Sequence, residues 1–172
     1  MFNIGAVNEA IATAFPDREA IVFRDRRVTY GQLNERTRRL ANFLVSRGLG
    51  VRRRRAELQR WESGQDQLAL YLFNGNEYLE GMIGGYKARV APFNVNYRYV
   101  EEELEYLLNN ARARAIIYHS NFAPRVAAVR AKVPSLELFI QVADESGHAL
   151  LPGAVDYETA ARKSCSRPNT TT

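Results

Sequence analysis

Four short apolar runs, beginning at Leu68, Val90, Ala115 and Glu137, follow one another at intervals of 22, 25 and 22 residues. Between them lie segments 76–88, 101–111 and 121–132, where apolar side chains return at helical spacing. Strands alternating with helices at this interval are what crossovers between parallel strands require, so the pattern predicts an α/β fold with a mostly parallel sheet and flanking helices. The run Leu68, Ala69, Leu70, Tyr71, Leu72, Phe73 has no polar alternation, which suits a strand buried on both faces. The runs 68–73, 90–95 and 115–118 are expected to be neighbouring strands, with helices packing through Leu79, Ile83, Leu104 and Leu107.

Ahead of this region the chain reads differently. Residues 5–15 suit a first helix with an apolar face of Ala6, Ala10, Ile11 and Ala14, closed by Pro16 and Asp17. Two short apolar stretches, 20–23 and 28–29, flank a charged turn and predict a small amino-terminal hairpin. Thr29, with Gln32 three residues on, forms a capping-box pattern for a helix with the stripe Leu33, Thr37, Leu40, Ala41 and Leu44. Gly48 is placed to end it. Further on, Pro92 interrupts an apolar run, Asn96, Tyr97, Arg98 and Tyr99 make a polar turn, and Glu101, Glu102 and Glu103 open the next helix. Carboxylates there meet unpaired backbone N–H groups and the positive end of the helix dipole. Residues 156–163 predict one more short helix.

With 172 residues the chain is one domain's worth. Its longest apolar run is far too short to span a bilayer. The first residues lack a basic n-region and a long apolar h-region, and the single cysteine, Cys165, has no internal partner. A cytoplasmic location without a transmembrane segment is therefore expected. The net charge of +5 comes largely from arginine: Arg36, Arg38 and Arg39 lie together, and four occupy positions 52–55. A basic run can bind phosphates. No interleaved aromatic stripe or nucleic-acid motif accompanies this one, so it reads as a solvated loop and nucleic acid is not expected as a partner. Within the same stretch Leu58 and Trp61 lie three apart; Trp61 is expected to pack this segment onto the body, or else to anchor a partner.

Candidates for chemistry are few. His119 follows a predicted strand at the carboxyl edge, where parallel sheets place ligands. It has no cysteine or carboxylate at ligand spacing, and a structural or solvent-exposed residue is expected. His148 receives no role. Tyr97 and Arg98 sit at the turn after the second parallel strand; the guanidinium there either holds a carboxylate or phosphate, or fixes the turn through carbonyls or Glu102. Glu101 and Glu105 read as helix surface. Neither G-x-x-x-x-G-K-[ST] nor G-x-G-x-x-G occurs, and Gly81, Gly84 and Gly85 lie in a helical segment where they permit close packing. No catalytic, cofactor-binding or metal-ligating residue is assigned.

The order Lys87, Ala88, Pro92, Asn94, Arg98 and then an acidic helix resembles the K-A-G-x-x-x-x-P-x-N-P-x-x motif of acyl-CoA synthetases in the adenylate-forming superfamily. Val28 to Leu33 is similar to that family's L-T-Y-x-E-L block, Asp66 to Leu70 to its D-x-V-A-L strand, and Asn74 to Leu79 to its N-x-x-E-F/Y-L helix start. The resemblance covers about residues 7–162 and corresponds to the amino-terminal part of such an enzyme. It implies a partial ligase domain over 1–163, carrying a basic insertion at 51–63 where the family has a short turn. Residues 164–172 lie outside the resemblance and are expected to be a disordered tail following a truncation. The full-length family uses ATP, magnesium and coenzyme A to convert fatty acids to thioesters through acyl-adenylates. Its phosphate loop ending in Pro-Lys-Gly has no match here, so the chain is expected to bind none of these cofactors alone and to be inactive alone. It would then partner the remainder of the ligase or self-associate through apolar surface; the alternative is a non-catalytic binding module.

Overall fold

The computed structural model describes residues 3–162. Helix α1 (Ile4–Ala14) leads into an antiparallel hairpin, β1 (Glu19–Phe23) and β2 (Arg26–Thr29), and then into α2 (Tyr30–Ser46). Both halves of the capping box form: Thr29 Oγ1 accepts from the Gln32 N–H, and Gln32 Oε1 accepts from the Thr29 N–H. At the other end Gly48 adopts φ +76°, a conformation that favours glycine. This lets the Gly48 and Leu49 N–H groups reach the Val45 and Leu44 carbonyls, the paired bonds of a Schellman stop.

The main sheet follows: β3 (Gln67–Tyr71), α3 (Asn76–Lys87), β4 (Ala91–Asn94), α4 (Glu101–Asn110), β5 (Ala113–His119), α5 (Ala123–Val129), β6 (Leu138–Val142), β7 (Val155–Asp156) and α6 (Tyr157–Arg162). All its pairings are parallel, in the order β4-β3-β5-β6-β7. Pro92 lies in β4, an edge strand, where its missing N–H is tolerated. One face of the sheet buries Leu68, Leu70, Ile117 and Ile140 beneath α2, α3 and α6. The other buries Ala69, Tyr71, Ile116 and Tyr118 beneath α4 and α5. Fully burying each large apolar side chain contributes about 1.5–3 kcal/mol, and the central strands supply most of them.

Helix α3 approaches the sheet and α2 through small residues. A Cβ on Gly81 would lie 2.8 Å from Leu70 Cδ2, and one on Gly84 would lie 2.9 Å from Leu40 Cδ2. Leu79, expected to pack there, instead faces solvent, while Ile83 is half-buried. Leu104 and Leu108 anchor α4, with Leu107 half-buried beside them.

Helix α1 also departs from expectation. It buries Gly5, Asn8 and Ala12, and its expected face of Ala6, Ala10, Ile11 and Ala14 is exposed. The reason is steric: the Gly5 backbone lies against the stem of Lys87, where a Cβ would meet Cγ at 2.9 Å. The apolar stripe Ile4, Val7, Ile11 and Phe15 is left on the outside. The segment 51–63 forms a short 3-10 turn, Arg55–Glu57, and an isolated bridge from Val51 to Gln65. Trp61 does not pack onto the body; it is 83% exposed. Among the described residues no helix is long and apolar enough to cross a membrane. The expected tail 164–172, with Cys165, lies outside the described residues.

Candidate functional site

The strand order creates one crevice without any specialised residue. After β3 the chain turns to α3 on one face of the sheet, and after the adjacent β5 it turns to α5 on the other. In open parallel sheets such a divergence leaves a gap at the carboxyl ends of the strands, where ligands bind. The residues following β3, β4 and β5 line it here.

Phe73, just past β3, forms the floor. Its N–H donates to His119 Nδ1 at 3.0 Å, and its ring lies 5.6 Å from the imidazole, 4.7 Å from Phe122 and 5.4 Å from Tyr97. Burial lowers the His119 pKa, so the ring is neutral, with Nδ1 as acceptor and the proton on Nε2. His119 thus holds the Phe73 backbone, the structural role expected of it. Phe73 and Tyr97 remain partly exposed and present aromatic surface to the crevice.

Beside them a cleft of about 360 Å³ is bounded by Leu72, Asn74, Tyr78, Asn96, Tyr97 and Leu107. Its lining is apolar and aromatic with side-chain amides at the rim. That combination suits a flat or elongated apolar group bearing a polar end. It contains no nucleophile paired with a base. A broader, shallow hollow of about 510 Å³ lies on the outer face of α4 around Glu102, Glu105 and Tyr106. It lies away from the strand ends and has no converging buried polar group.

Tyr97 therefore reaches the cleft, and Arg98 does not do what its position suggested. The Arg98 guanidinium is exposed, 5.5 Å from the Tyr97 ring, and only the Arg98 backbone N–H serves the turn, donating to Asn96 Oδ1 at 3.0 Å. The turn is braced by Arg125 of α5. Its Nη1 donates to the Tyr99 carbonyl at 3.0 Å and to the Tyr71 hydroxyl at 3.2 Å, while that hydroxyl donates to the same carbonyl at 2.9 Å. Glu101 and Glu105 sit on the outer surface of α4, near Arg125 and Lys132 respectively, and His148 is exposed in a loop.

Sequence reasoning missed the buried charges. Glu80 of α3 is fully buried between α2 and α6. Arg36 grips it through Nε and Nη2 and also donates to Glu158 at 2.8 and 3.1 Å. The Tyr157 hydroxyl donates to Glu80 Oε2 at 2.7 Å, and Asn76 Nδ2 donates to Oε1 at 3.1 Å. Hydrogen bonds to Glu158 and then Glu80 hold the Arg36 pKa above its ordinary value. The available signal was Glu80's place on the same helical face as Gly81 and Gly84, where a surface carboxylate does not belong. Lys87, closing α3, is similarly enclosed: its ammonium donates to Asn34 and Thr37 and lies 3.6 Å from Glu9. Burial pushes its pKa down to about 8.

The sequence has no phosphate-cradling glycine loop, and among the described residues no three His, Cys, Asp or Glu side chains converge to hold an ion.

The AMP-binding enzyme family matches residues 8–171. The medium-chain acyl-CoA ligase Mig of Mycobacterium avium is 53% identical over 97% of this chain, which spans 30% of that protein. A ligase of Mycobacterium marinum described as acting on medium- and long-chain fatty acids and 3-oxocholest-4-en-26-oate is 35% identical over 84% of this chain, spanning 24% of it. In structure, the N-terminal domain of FACL13 from Mycobacterium tuberculosis superposes with a TM-score of 0.74 at 23% identity, covering 96% of this chain and 36% of that one. An anthranilate CoA ligase superposes with a TM-score of 0.75 at 20% identity, covering 94% and 27%. This chain thus spans about a quarter to a third of the curated relatives it matches, and its parallel sheet and flanking helices are those of the N-terminal domain of adenylate-forming enzymes. The chain belongs to the AMP-binding enzyme family.

Proposed function

We propose that this chain is the amino-terminal scaffold of a cytoplasmic, ATP-dependent fatty acid–CoA ligase, with its carboxyl-edge cleft serving as one wall of the acyl site. The observation that carries this reading is the 53% identity to a medium-chain acyl-CoA ligase across 97% of the chain. The apolar and aromatic cleft at the sheet's carboxyl edge supports it. Phe73 and Tyr97 offer surface to an acyl chain, and the rim amides of Asn74 and Asn96 offer donors to its polar end. ATP and magnesium supply the adenylating chemistry of the full-length family. On this reading the remainder of the ligase holds them.

The chain by itself forms no acyl-adenylate on this reading. Pyrophosphate release is measured with ATP, magnesium and medium- to long-chain fatty acids, first with the chain alone and then with the remaining portion of a related ligase co-expressed. Activity only in the second case is the expected result. Turnover by the chain alone, abolished by a substitution within it, overturns the scaffold reading. One observation favours a second reading, a module that associates through its own surface: the outward apolar stripe of α1.

A further inference from the structure

The positive charge of this protein is concentrated at one end of the sheet, opposite the cleft. Six arginines lie between positions 47 and 60, and Arg89, Arg112 and Arg114 join them at the starts of β4 and β5. Four carboxylates, Glu57, Glu62, Asp66 and Glu137, stand among these nine arginines, so the amino edge carries a surplus equal to the chain's whole net charge of +5. The cluster is a contiguous surface. Arg52 and Arg114 both bond Asp66, Arg114 also bonds Glu137, and Gln65 Nε2 donates to the Arg89 carbonyl at 2.8 Å. The Gln59 N–H, and then Arg53 and Arg112, hold the Glu62 carboxyl below its ordinary range.

These internal pairs leave cations over. Among the described residues, Arg54 and Arg60 have no carboxylate within ion-pair distance. Directly after Arg60 the loop presents Trp61, 83% exposed, with Val51 of the same loop at 41%. An indole held out in water beside free guanidinium groups fits one environment well. At the headgroup level of a bilayer the amphipathic ring partitions into the interface, and arginines pair with lipid phosphates. Single-stranded nucleic acid instead calls for several aromatic platforms for successive bases, and this surface offers one.

We propose that the amino edge of the sheet, led by Trp61 with Arg54 and Arg60, docks on bilayers rich in anionic phospholipid. The contact is peripheral and electrostatic, and it leaves the carboxyl-edge cleft free at the opposite end. It does not depend on the ligase reading.

Trp61 is the only tryptophan in the chain, so it reports its own environment. The 172-residue chain is titrated with vesicles of phosphatidylcholine alone and of phosphatidylcholine containing phosphatidylglycerol. Fluorescence and co-sedimentation are followed at low and physiological salt. The expected result is a blue-shifted emission and co-sedimentation with the anionic vesicles only, weakened by salt. The pair Arg54→Ser with Arg60→Ser, at exposed sites whose replacement should leave the circular dichroism unchanged, lowers partitioning by about tenfold or more. Trp61→Phe, followed by sedimentation, lowers it less, and Trp61→Ser more. Emission unmoved by anionic vesicles overturns the proposal. So does binding that these variants leave intact, or tighter binding to single-stranded DNA than to vesicles at the same salt.

Discussion

Arg36 and Glu80 meet through two parallel N–H···O contacts of 2.8 and 2.9 Å, in a place where the carboxylate side chain is only 1% exposed. A pair so placed ties three helices together, because Tyr157 of α6 donates to the same carboxylate. Removing one partner strands a buried charge. Arg36→Met is expected to cost about 3–5 kcal/mol in urea unfolding. Adding Glu80→Gln should recover part of that loss, since the stranded charge is removed. An Arg36→Met protein as stable as the parent would show that water reaches Glu80.

Lys87 makes stability depend on alkaline pH. Its folded pKa, about 8, lies below the ordinary 10.5 because burial disfavours the ammonium. Between those values the unfolded chain binds more protons, so stability rises with pH from about 8 toward 10, by on the order of 2 kcal/mol. Above pH 10 the trend reverses: burial raises the hydroxyl pKa values of Tyr118 and Tyr157, and ionisation then favours the unfolded chain. Lys87→Met should flatten the rising limb in thermal melts taken between pH 7 and 10.

His119 works in the acid range. Its imidazole is held neutral and accepts from Phe73, so its folded pKa lies below 6.5. Stability from this group is present above pH 6.5 and is lost as pH falls toward the folded value. His119→Ala leaves the Phe73 N–H without its acceptor, at a cost of about 1–3 kcal/mol. Hydrogen exchange at the Phe73 amide should accelerate in the variant, and the acid dependence of the melting temperature should shrink.

Leu70 lies fully buried in β3, between β4 and β5. Leu70→Asp places a carboxylate with no partner against Gly81 and the core, and the domain is expected to lose its cooperative melt. An unchanged circular dichroism spectrum and transition would contradict the strand's position.

The stripe on α1 should promote self-association. Val7→Lys with Ile11→Lys replaces two of its four large side chains. Light scattering across a concentration series should show a smaller size increase for this variant than for the parent, with the melting temperature little changed.

The sheet was legible because its signals are local and repeated. The interval between apolar runs, the Thr29 and Gln32 box, the Gly48 stop and the acidic start of α4 each specify a nearby stretch of backbone. What escaped depends on partners distant in sequence. Arg36 and Glu158 are 122 positions apart, and nothing near either announces the other. Arg98 looked like the brace of its turn, yet Arg125 reaches in from α5 to do that work. The α1 face was misjudged because hydrophobicity alone ranks Ile11 above Gly5, whereas the tight space beside Lys87 admits only the glycine. For Trp61, its helical spacing from Leu58 suggested packing, but the only helical turn formed, Arg55–Glu57, stops before either residue and the indole stays exposed.

The gap between the paths leaving β3 and β5 is made by connectivity and not by the absence of bulky side chains. Substitutions at Phe73, or at Tyr97 and Tyr78 in the cleft beside it, can re-line this edge of the sheet without disturbing the frame. Chains with this wiring are therefore free to change the lining of this edge faster than they change shape. A backbone that superposes closely at one-fifth sequence identity is what such an arrangement leaves behind.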